Sequence, residues 1–280
     1  MATLLDWRVL SPFGVSVDLD LSLETSGDAV ELLRRLYDAH HLLVFSSQKL
    51  SHEDQTRVAA WFGPVLSEDT AAYVSTDPGV GGLGSDELPF HSDLSCSPHP
   101  LLGLSLHAVE VEDGSTSTIF VDAMRAAAAL PDELRDRLGA LHSLNLWPRS
   151  LSARQRAADA PEGWPGTAHP LLMPHPRTGD AILYLNASHT DRIVELEPEQ
   201  SEDLIQDLFT RLYAAENRYE HRWRSGDLVV WDNLALQHAR PPIAPGATRT
   251  LQRVAMGTHS QIELMPDELW AAYRSDGASA

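Results

Sequence analysis

The sequence contains many short apolar runs with the character of β-strands, separated by turns rich in Gly, Pro, Asp and Asn. The clearest strand-like runs cover residues 13–19, 41–45, 101–111, 118–121, 181–185, 228–231 and 251–256. Apolar residues recur at helical spacing over residues 28–40, 51–62 and 197–216. Strands outnumber helices and do not alternate regularly with them, which disfavours a parallel α/β sheet. The pattern predicts a mainly β fold with flanking helices, a double-stranded β-helix (jelly roll).

The length of 280 residues suits a single domain spanning residues 1–280, because β-barrel-like folds of this size form one unit. Residues 67–88 are rich in acidic side chains, Gly and Pro, which is typical of a mobile lid or of a disordered connection. Residues 149–167 have the composition of an irregular surface insertion, and residues 271–280 that of a frayed tail.

The balance of charge restricts the partners that we expect. Forty acidic and 21 basic residues give a net charge of -19, which should repel nucleic acid and anionic membranes. An anionic ligand would therefore need a local cluster of cations. The N-terminal residues do not resemble a signal peptide and no run is long enough to span a membrane, so we expect a cytoplasmic protein.

Sequence motifs narrow the chemistry. The single cysteine, Cys96, excludes an internal disulfide and a thiolate-rich metal site; it is interpreted as a small buried residue or as part of a pocket wall. The chain has no GxGxxG or Walker-type loop, so nucleotide chemistry through those motifs has no support.

Two separated segments together could bind a metal ion. His91 and Asp93 are two residues apart, and in an extended strand such side chains share a face. His238 follows the apolar run at residues 228–231 and a polar cluster. Two imidazoles and one carboxylate form the facial triad that holds ferrous iron and leaves other coordination positions open. A His-x-Asp pair alone is weak evidence, since it occurs by chance in many chains.

The wider sequence resembles the taurine dioxygenase family of Fe(II)- and 2-oxoglutarate-dependent oxygenases, which share the cupin-like jelly roll. The resemblance covers residues 10–257, in matching segments that occur in family order. These segments are residues 41–45, 62–63, 91–95, 109–111, 118–120, 169–171, 185–186, 192–194 and 231–238. It implies that His91, Asp93 and His238 bind Fe(II), and that O2 and 2-oxoglutarate are cosubstrates.

The resemblance also implies roles for four further residues. Arg249, eleven residues after His238, would pair with the far carboxylate of 2-oxoglutarate together with Thr118. Arg253 would bind a small anionic substrate, although a structural ion pair is the alternative. His189 replaces an aromatic residue that borders the substrate in the family, and a solvent-facing loop histidine is an equally good interpretation. Relatives commonly self-associate, so a homo-oligomer is one expectation for the assembly.

Two comparisons with the family pattern limit the chemistry. No histidine follows Phe62 and Gly63, where the taurine enzyme binds sulfonate, so taurine is a disfavoured substrate. Asp93 is a carboxylate, whereas related halogenases have Gly or Ala there, so hydroxylation or another oxidation is favoured over halogenation.

Two other function classes stay open on the sequence. A zinc hydrolase could use the same three ligands with a metal-bound water, but it gives no role to Arg249. A non-catalytic jelly-roll binding protein could retain the pocket, but it would have no reason to keep both the ligands and the arginines. We therefore expect an oxygenase that acts on an amino acid or a natural-product intermediate and converts 2-oxoglutarate to succinate and CO2.

Overall fold

A computed structural model describes residues 5–66, 72–267 and 269. Residues 67–71 of the candidate lid and the tail at 271–280 lie outside the described residues. The strands are β1 (Asp6–Val9), β2 (Val15–Asp18), β3 (Leu42–Phe45), β4 (Tyr73–Ser75), β5 (Gly82–Leu83), β6 (Leu88–His91), β7 (Gly103–Val111), β8 (Ser117–Asp122), β9 (His142–Leu146), β10 (Gly166–Pro170), β11 (Leu172–Pro174), β12 (Ala181–Leu183), β13 (Thr190–Ile193), β14 (Arg218–Arg222), β15 (Leu228–Asp232), β16 (Leu236–Arg240) and β17 (Arg249–Met256). The helices are α1 (Gly27–His40), α2 (His52–Ala59), α3 (Ala123–Ala128), α4 (Asp132–Leu138), α5 (Pro198–Leu212) and α6 (Gln261–Leu264), and short 3-10 helices span Ala157–Asp159 and Ala215–Asn217.

Two sheets form the centre of the fold. The larger has eight strands in the order β1-β2-β3-β15-β7-β17-β4-β5, and the smaller has four in the order β14-β8-β16-β6. Pairing is antiparallel except for β2 with β3 and β4 with β5. Phe120 of β8 packs edge-on against Trp231 of β15 at 5.3 Å between ring centroids, so the two sheets face each other across the main core. The mainly β jelly roll with flanking helices is confirmed.

The apolar run in β15 is continuous because both of its faces are buried. Val229 and Trp231 belong to the core between the two sheets, while Leu228 and Val230 belong to a second core on the other face. Helices α1 and α2 cover that second face, with Leu33 and Tyr37 of α1 fully buried against it. A strand covered on both faces reads as an unbroken apolar run, since successive side chains point to opposite faces.

The helix boundaries follow capping signals in the sequence. Ser51 accepts a hydrogen bond from the Asp54 N–H, and the Asp54 side chain accepts one from the Ser51 N–H, which completes a capping box at the start of α2. Ser26 caps α1 and Asp122 caps α3 in the same way through their side-chain oxygens. None of the helices in the described residues is both long and apolar enough to cross a membrane.

Part of the candidate lid is regular structure. Tyr73–Ser75 forms β4, which pairs with β17, and Gly82–Leu83 forms β5 beside β4. A Cβ on Gly81 would lie 2.4 Å from the carbonyl oxygen of Tyr73, so glycine is required by a close backbone approach. The expectation of a loop is therefore wrong for these two strands, and the close approach accounts for the glycine at position 81.

The segment predicted as a surface insertion is tied to the loop that carries His189. The Gln155 N–H donates to the carbonyl of Ser188, and Arg154 donates to the carbonyls of Thr190 and Asp191. Arg154 also pairs with Glu202 on α5 at 2.9 Å. The segment thereby anchors residues 188–191 to α5, and its end at residues 166–167 already belongs to β10.

Candidate metal centre

The register of the smaller sheet brings two histidines together. His91 at the end of β6 is the direct pairing partner of His238 in β16, and their ring centroids are 4.2 Å apart. Asp93 completes the group, with its Oδ1 at 3.4 Å from His91 Nε2 and 3.6 Å from His238 Nε2. One ligand atom from each residue lies within 4.8 Å of the others, and no other group among the described residues offers three such side chains.

The backbone reaches this arrangement differently from the prediction. The strand ends at His91, so Asp93 does not share an extended strand with it, and Leu94 has a positive φ of 57°. The Asn233 amide accepts a hydrogen bond from the Asp93 N–H at 2.9 Å and donates to the Asp93 carbonyl at 3.0 Å. Asp93 therefore points toward His91 because a turn places it there and the hairpin between β15 and β16 holds it.

The protonation states of these groups suit a divalent metal. His91 Nδ1 lies 2.7 Å from the Pro89 carbonyl, to which it donates, and this bond orients the ring with Nε2 toward Asp93. Burial, together with the nearby His91, lowers the pKa of His238 to about 3. Burial alone would raise the pKa of Asp93, but its contact with His91 and the charge of Arg253 hold that pKa well below its usual range. Neutral imidazoles and an ionised carboxylate are the forms that bind metal, so the group fits an Fe(II)-type site.

Arg249 is a buried cation without a hydrogen-bonding partner for part of its guanidinium. The residue is 2% exposed, and its Nε and Nη1 atoms have no hydrogen-bond partner among the described residues. Burial, with the charge of Arg240, lowers the pKa of Arg249 to about 9. An unpaired buried charge is costly, so the position requires an anion, and a guanidinium fork matches a carboxylate.

Thr118 lies on β8 in the smaller sheet, whereas Arg249 lies on β17 in the larger sheet. Its buried hydroxyl oxygen accepts a hydrogen bond from Trp223 Nε1 at 3.0 Å. That interaction uses a lone pair of the hydroxyl oxygen. The hydroxyl proton is therefore available to an acceptor other than Trp223. This polarity suits donation to a carboxylate.

Arg253 contacts the candidate metal ligand directly. Its Nη2 lies 2.7 Å from Oδ2 of Asp93, in an ion pair whose side chains are 11% and 21% exposed. Arg249 and Arg253 are four residues apart in β17, a spacing that places both side chains on one face of the strand. The positive charge of each lowers the pKa of His238. The alternative of an ion pair with an acidic residue is thus observed.

His189 lies beside the centre. Its ring is nearly parallel to that of His91, with centroids 6.3 Å apart and an interplanar angle of 10°. The residue is 5% exposed, so it is not a solvent-facing loop histidine, and burial lowers its pKa to about 3. Its Nδ1 has no hydrogen-bond partner among the described residues. A neutral imidazole here offers one polar contact to a molecule bound next to His91.

Two residues of the site had no role in the sequence interpretation. Asn233 fixes the backbone of Asp93 and also donates to the Leu101 carbonyl at 2.9 Å, and Trp223 orients the hydroxyl of Thr118. The signal available in the sequence was the position of Asn233, close behind the apolar run at residues 228–231. An amide that becomes buried there must find hydrogen-bond partners. No local signal connects Trp223 to Thr118, which is 105 residues away.

Comparison with known proteins gives a consistent result. The family model described as "Taurine catabolism dioxygenase TauD, TfdA family" matches residues 6–255. Pentalenolactone F synthase from Streptomyces avermitilis is 30% identical over 267 residues, covering 84% of this chain and 87% of that protein. The alpha-ketoglutarate-dependent 2,4-dichlorophenoxyacetate dioxygenase of Cupriavidus pinatubonensis is 29% identical, with coverage of 84% and 91%.

Solved structures show the same fold. A taurine dioxygenase from Burkholderia xenovorans superposes with a TM-score of 0.77 at 22% identity, covering 91% of both chains. The structure of AAD-2 in complex with Mn(II) and N-oxalylglycine gives a TM-score of 0.76 at 24% identity, covering 91% of this chain and 98% of that one. The family match spans nearly the whole chain, and the chain therefore belongs to the taurine catabolism dioxygenase TauD, TfdA family.

Proposed function

We propose that this enzyme is an Fe(II)- and 2-oxoglutarate-dependent oxygenase that oxidises a small anionic metabolite, with 2-oxoglutarate converted to succinate and CO2. The observation that carries the proposal is Arg249, a buried guanidinium with N–H groups that no described residue pairs, on the same strand as a residue that contacts the His-Asp-His group. A zinc hydrolase would need the three ligands alone, whereas a 2-oxoglutarate enzyme also needs a cation for the distal carboxylate.

In this proposal each residue has a defined task. His91, Asp93 and His238 hold the metal, and Arg249 with Thr118 binds the distal carboxylate of 2-oxoglutarate. Bound iron would supply the oxidising chemistry with O2, while the protein fixes the geometry and keeps water out. Arg253 and His189 border the space next to the metal ligands, where one offers charge and the other a neutral polar contact.

The substrate class follows from this charge distribution and from the relatives. In a protein with a net charge of -19, cations concentrated beside the metal centre favour an anionic ligand. The relatives include a (S)-phenoxypropionate/alpha-ketoglutarate dioxygenase, a pentalenolactone F synthase and a tyrosine isonitrile desaturase. We infer that the substrate is a carboxylate of biosynthetic origin, such as a natural-product intermediate or an amino acid derivative.

The test is an anaerobic absorption titration of the purified apoprotein with Fe(II) and 2-oxoglutarate. Chelation of the keto acid by iron should produce a weak metal-to-ligand charge-transfer band in the visible range. The band should require higher 2-oxoglutarate in Arg249→Met but not in Arg222→Met, a matched change at an exposed arginine of β14. Absence of the band in the wild-type protein at saturating iron would reject the proposal and favour the zinc hydrolase or the binding protein.

A further inference from the structure

The two oxygens of the Asp93 carboxylate have different partners. Oδ1 faces His91 Nε2 and His238 Nε2 at 3.4 and 3.6 Å, whereas Oδ2 lies 2.7 Å from Arg253 Nη2. We propose that Arg253 is a positioning residue that holds Oδ2 and so restricts Asp93 to binding the metal through Oδ1 alone. This inference rests on the proposed function, because it assigns a metal to the His-Asp-His group.

Arg253 is itself held firmly enough to act in this way. It lies within β17, opposite Leu106 of β7, and its N–H donates to the Ala72 carbonyl at 2.8 Å. β17 is flanked by β7 and β4, so it is an interior strand of the larger sheet. A charge-assisted bond from a mostly buried guanidinium is both stronger and more directional than one in water.

Asp93 is restrained from both ends by different parts of the chain. Asn233 fixes its backbone N–H and carbonyl, and Arg253 fixes its outer carboxylate oxygen. Rotation of the carboxylate that brought Oδ2 toward the metal would break the ion pair in a region shielded from water. The ion pair therefore favours one orientation of the carboxylate before any ligand arrives.

The orientation of Asp93 determines how many coordination positions of a bound metal would remain open. In an octahedral site, His91, His238 and a monodentate Asp93 leave three positions, enough for a bidentate keto acid and one further ligand. A bidentate Asp93 would leave two, which the keto acid alone would fill. By holding Oδ2, Arg253 preserves the last position.

This role is separate from the binding of the substrate anion. A guanidinium carries five N–H donors, so contact with Asp93 does not prevent Arg253 from also contacting a second anion. A residue that only bound substrate would leave the metal centre unchanged when it is replaced. A positioning residue changes the metal centre in the absence of substrate and of 2-oxoglutarate.

Cobalt(II) provides the test, because its visible ligand-field bands depend on coordination number and need no turnover. Purified apoprotein would be titrated with Co(II) under anaerobic conditions, first alone and then with 2-oxoglutarate. We expect Arg253→Met to change the shape and intensity of the bands before 2-oxoglutarate is added.

Arg249→Met is the matched control, since it removes the other buried cation of β17 without touching Asp93. It should keep the wild-type bands with Co(II) alone and lose their response to 2-oxoglutarate. Arg253→Leu also removes every donor to Oδ2, and it should change the bands in the same way even if Arg253→Met does not fold.

The outcomes separate the two proposals. Wild-type bands in Arg253→Met, or in Arg253→Leu where only that variant folds, would overturn the positioning role while leaving the oxygenase proposal intact. A wild-type protein that forms no Co(II) bands would overturn the metal centre and the positioning role together.

Discussion

The side chain of Asn233 binds both backbone polar groups of Asp93, a residue 140 positions earlier in the chain. Its third hydrogen bond goes to the carbonyl of Leu101. The amide thereby joins the hairpin between β15 and β16 to the turn that follows β6, and each segment contributes part of the metal centre. A single buried side chain thus holds the backbone of Asp93 against the hairpin that leads to His238.

Replacing Asn233 with Asp should weaken metal binding. The carboxylate cannot donate to the carbonyls of Asp93 and Leu101, so two bonds are lost and like partial charges face each other. We expect a loss of metal affinity of roughly 10- to 100-fold. Asn217→Asp is the control, because Asn217 also donates to two carbonyls, those of Asp122 and Leu212, but has no contact with the ligands. Equal metal affinities for the two variants in a Co(II) titration would contradict the role of Asn233.

Thr118→Val should weaken the binding of 2-oxoglutarate without greatly changing the shape of the core. The lost hydroxyl would no longer donate to the carboxylate, and hydrogen bonds to charged groups contribute about 1.5–3 kcal/mol, so the dissociation constant should rise tenfold or more. Trp223→Phe removes the donor to Thr118 but keeps the hydroxyl, and it should leave this dissociation constant much closer to wild type. A larger effect from Trp223→Phe than from Thr118→Val, measured by absorption titration, would argue against direct contact of Thr118 with the cosubstrate.

Asp232→Asn should destabilise the fold. Asp232 is fully buried, pairs with His175 at 3.0 Å and with Arg177, and accepts hydrogen bonds from the N–H groups of Leu234 and Ala235. Leaving a buried polar partner such as His175 unpaired costs about 1–3 kcal/mol, whereas Arg177 is 30% exposed and keeps Asp38. Asp38 also pairs with Arg177 but is 44% exposed, so Asp38→Asn should cost about 1 kcal/mol or less. Urea unfolding measures both, and similar losses for the two variants would refute the distinction.

His169 should make stability depend on pH. Burial lowers its pKa below the ordinary 6.5, even though its Nε2 bonds to the Ser97 carbonyl at 2.9 Å. Between that lowered value and 6.5 the unfolded chain binds more protons than the folded one, so stability falls as pH falls through this range. The effect amounts to about 1.4 kcal/mol per pH unit at most. His169→Gln cannot take up a proton, so its melting temperature should fall less than that of wild type between pH 7 and pH 5. An identical fall in melting temperature in both proteins would show that His169 does not cause the pH dependence.

Much of the fold could be predicted from local patterns. The spacing of Ser51 and Asp54 predicted the capping box that starts α2. The unbroken apolar run of β15 predicted a buried strand, and the structure buries both of its faces. The strands β4 and β5 were not predicted, because β4 pairs with β17, with Tyr73 and Gln252 separated by 179 residues, and β5 pairs only with β4. Amino-acid composition reflects local conformational preferences, so it does not show that a segment pairs with a strand far away in the sequence.

The sequence by itself predicted the chemical groups of the candidate site: two histidines, a carboxylate and two arginines at the spacing that the family resemblance implies. It could not determine how these groups are arranged. The register of β6 against β16 places His91 beside His238, and the turn at Leu94 brings Asp93 toward both. Only the tertiary structure joined Arg253 to Asp93 and left Arg249 with N–H groups that have no partner in the described part of the chain. The physical reason is that hydrogen bonds and ion pairs require contact within a few ångströms, and distant parts of a chain reach that contact only in the folded protein.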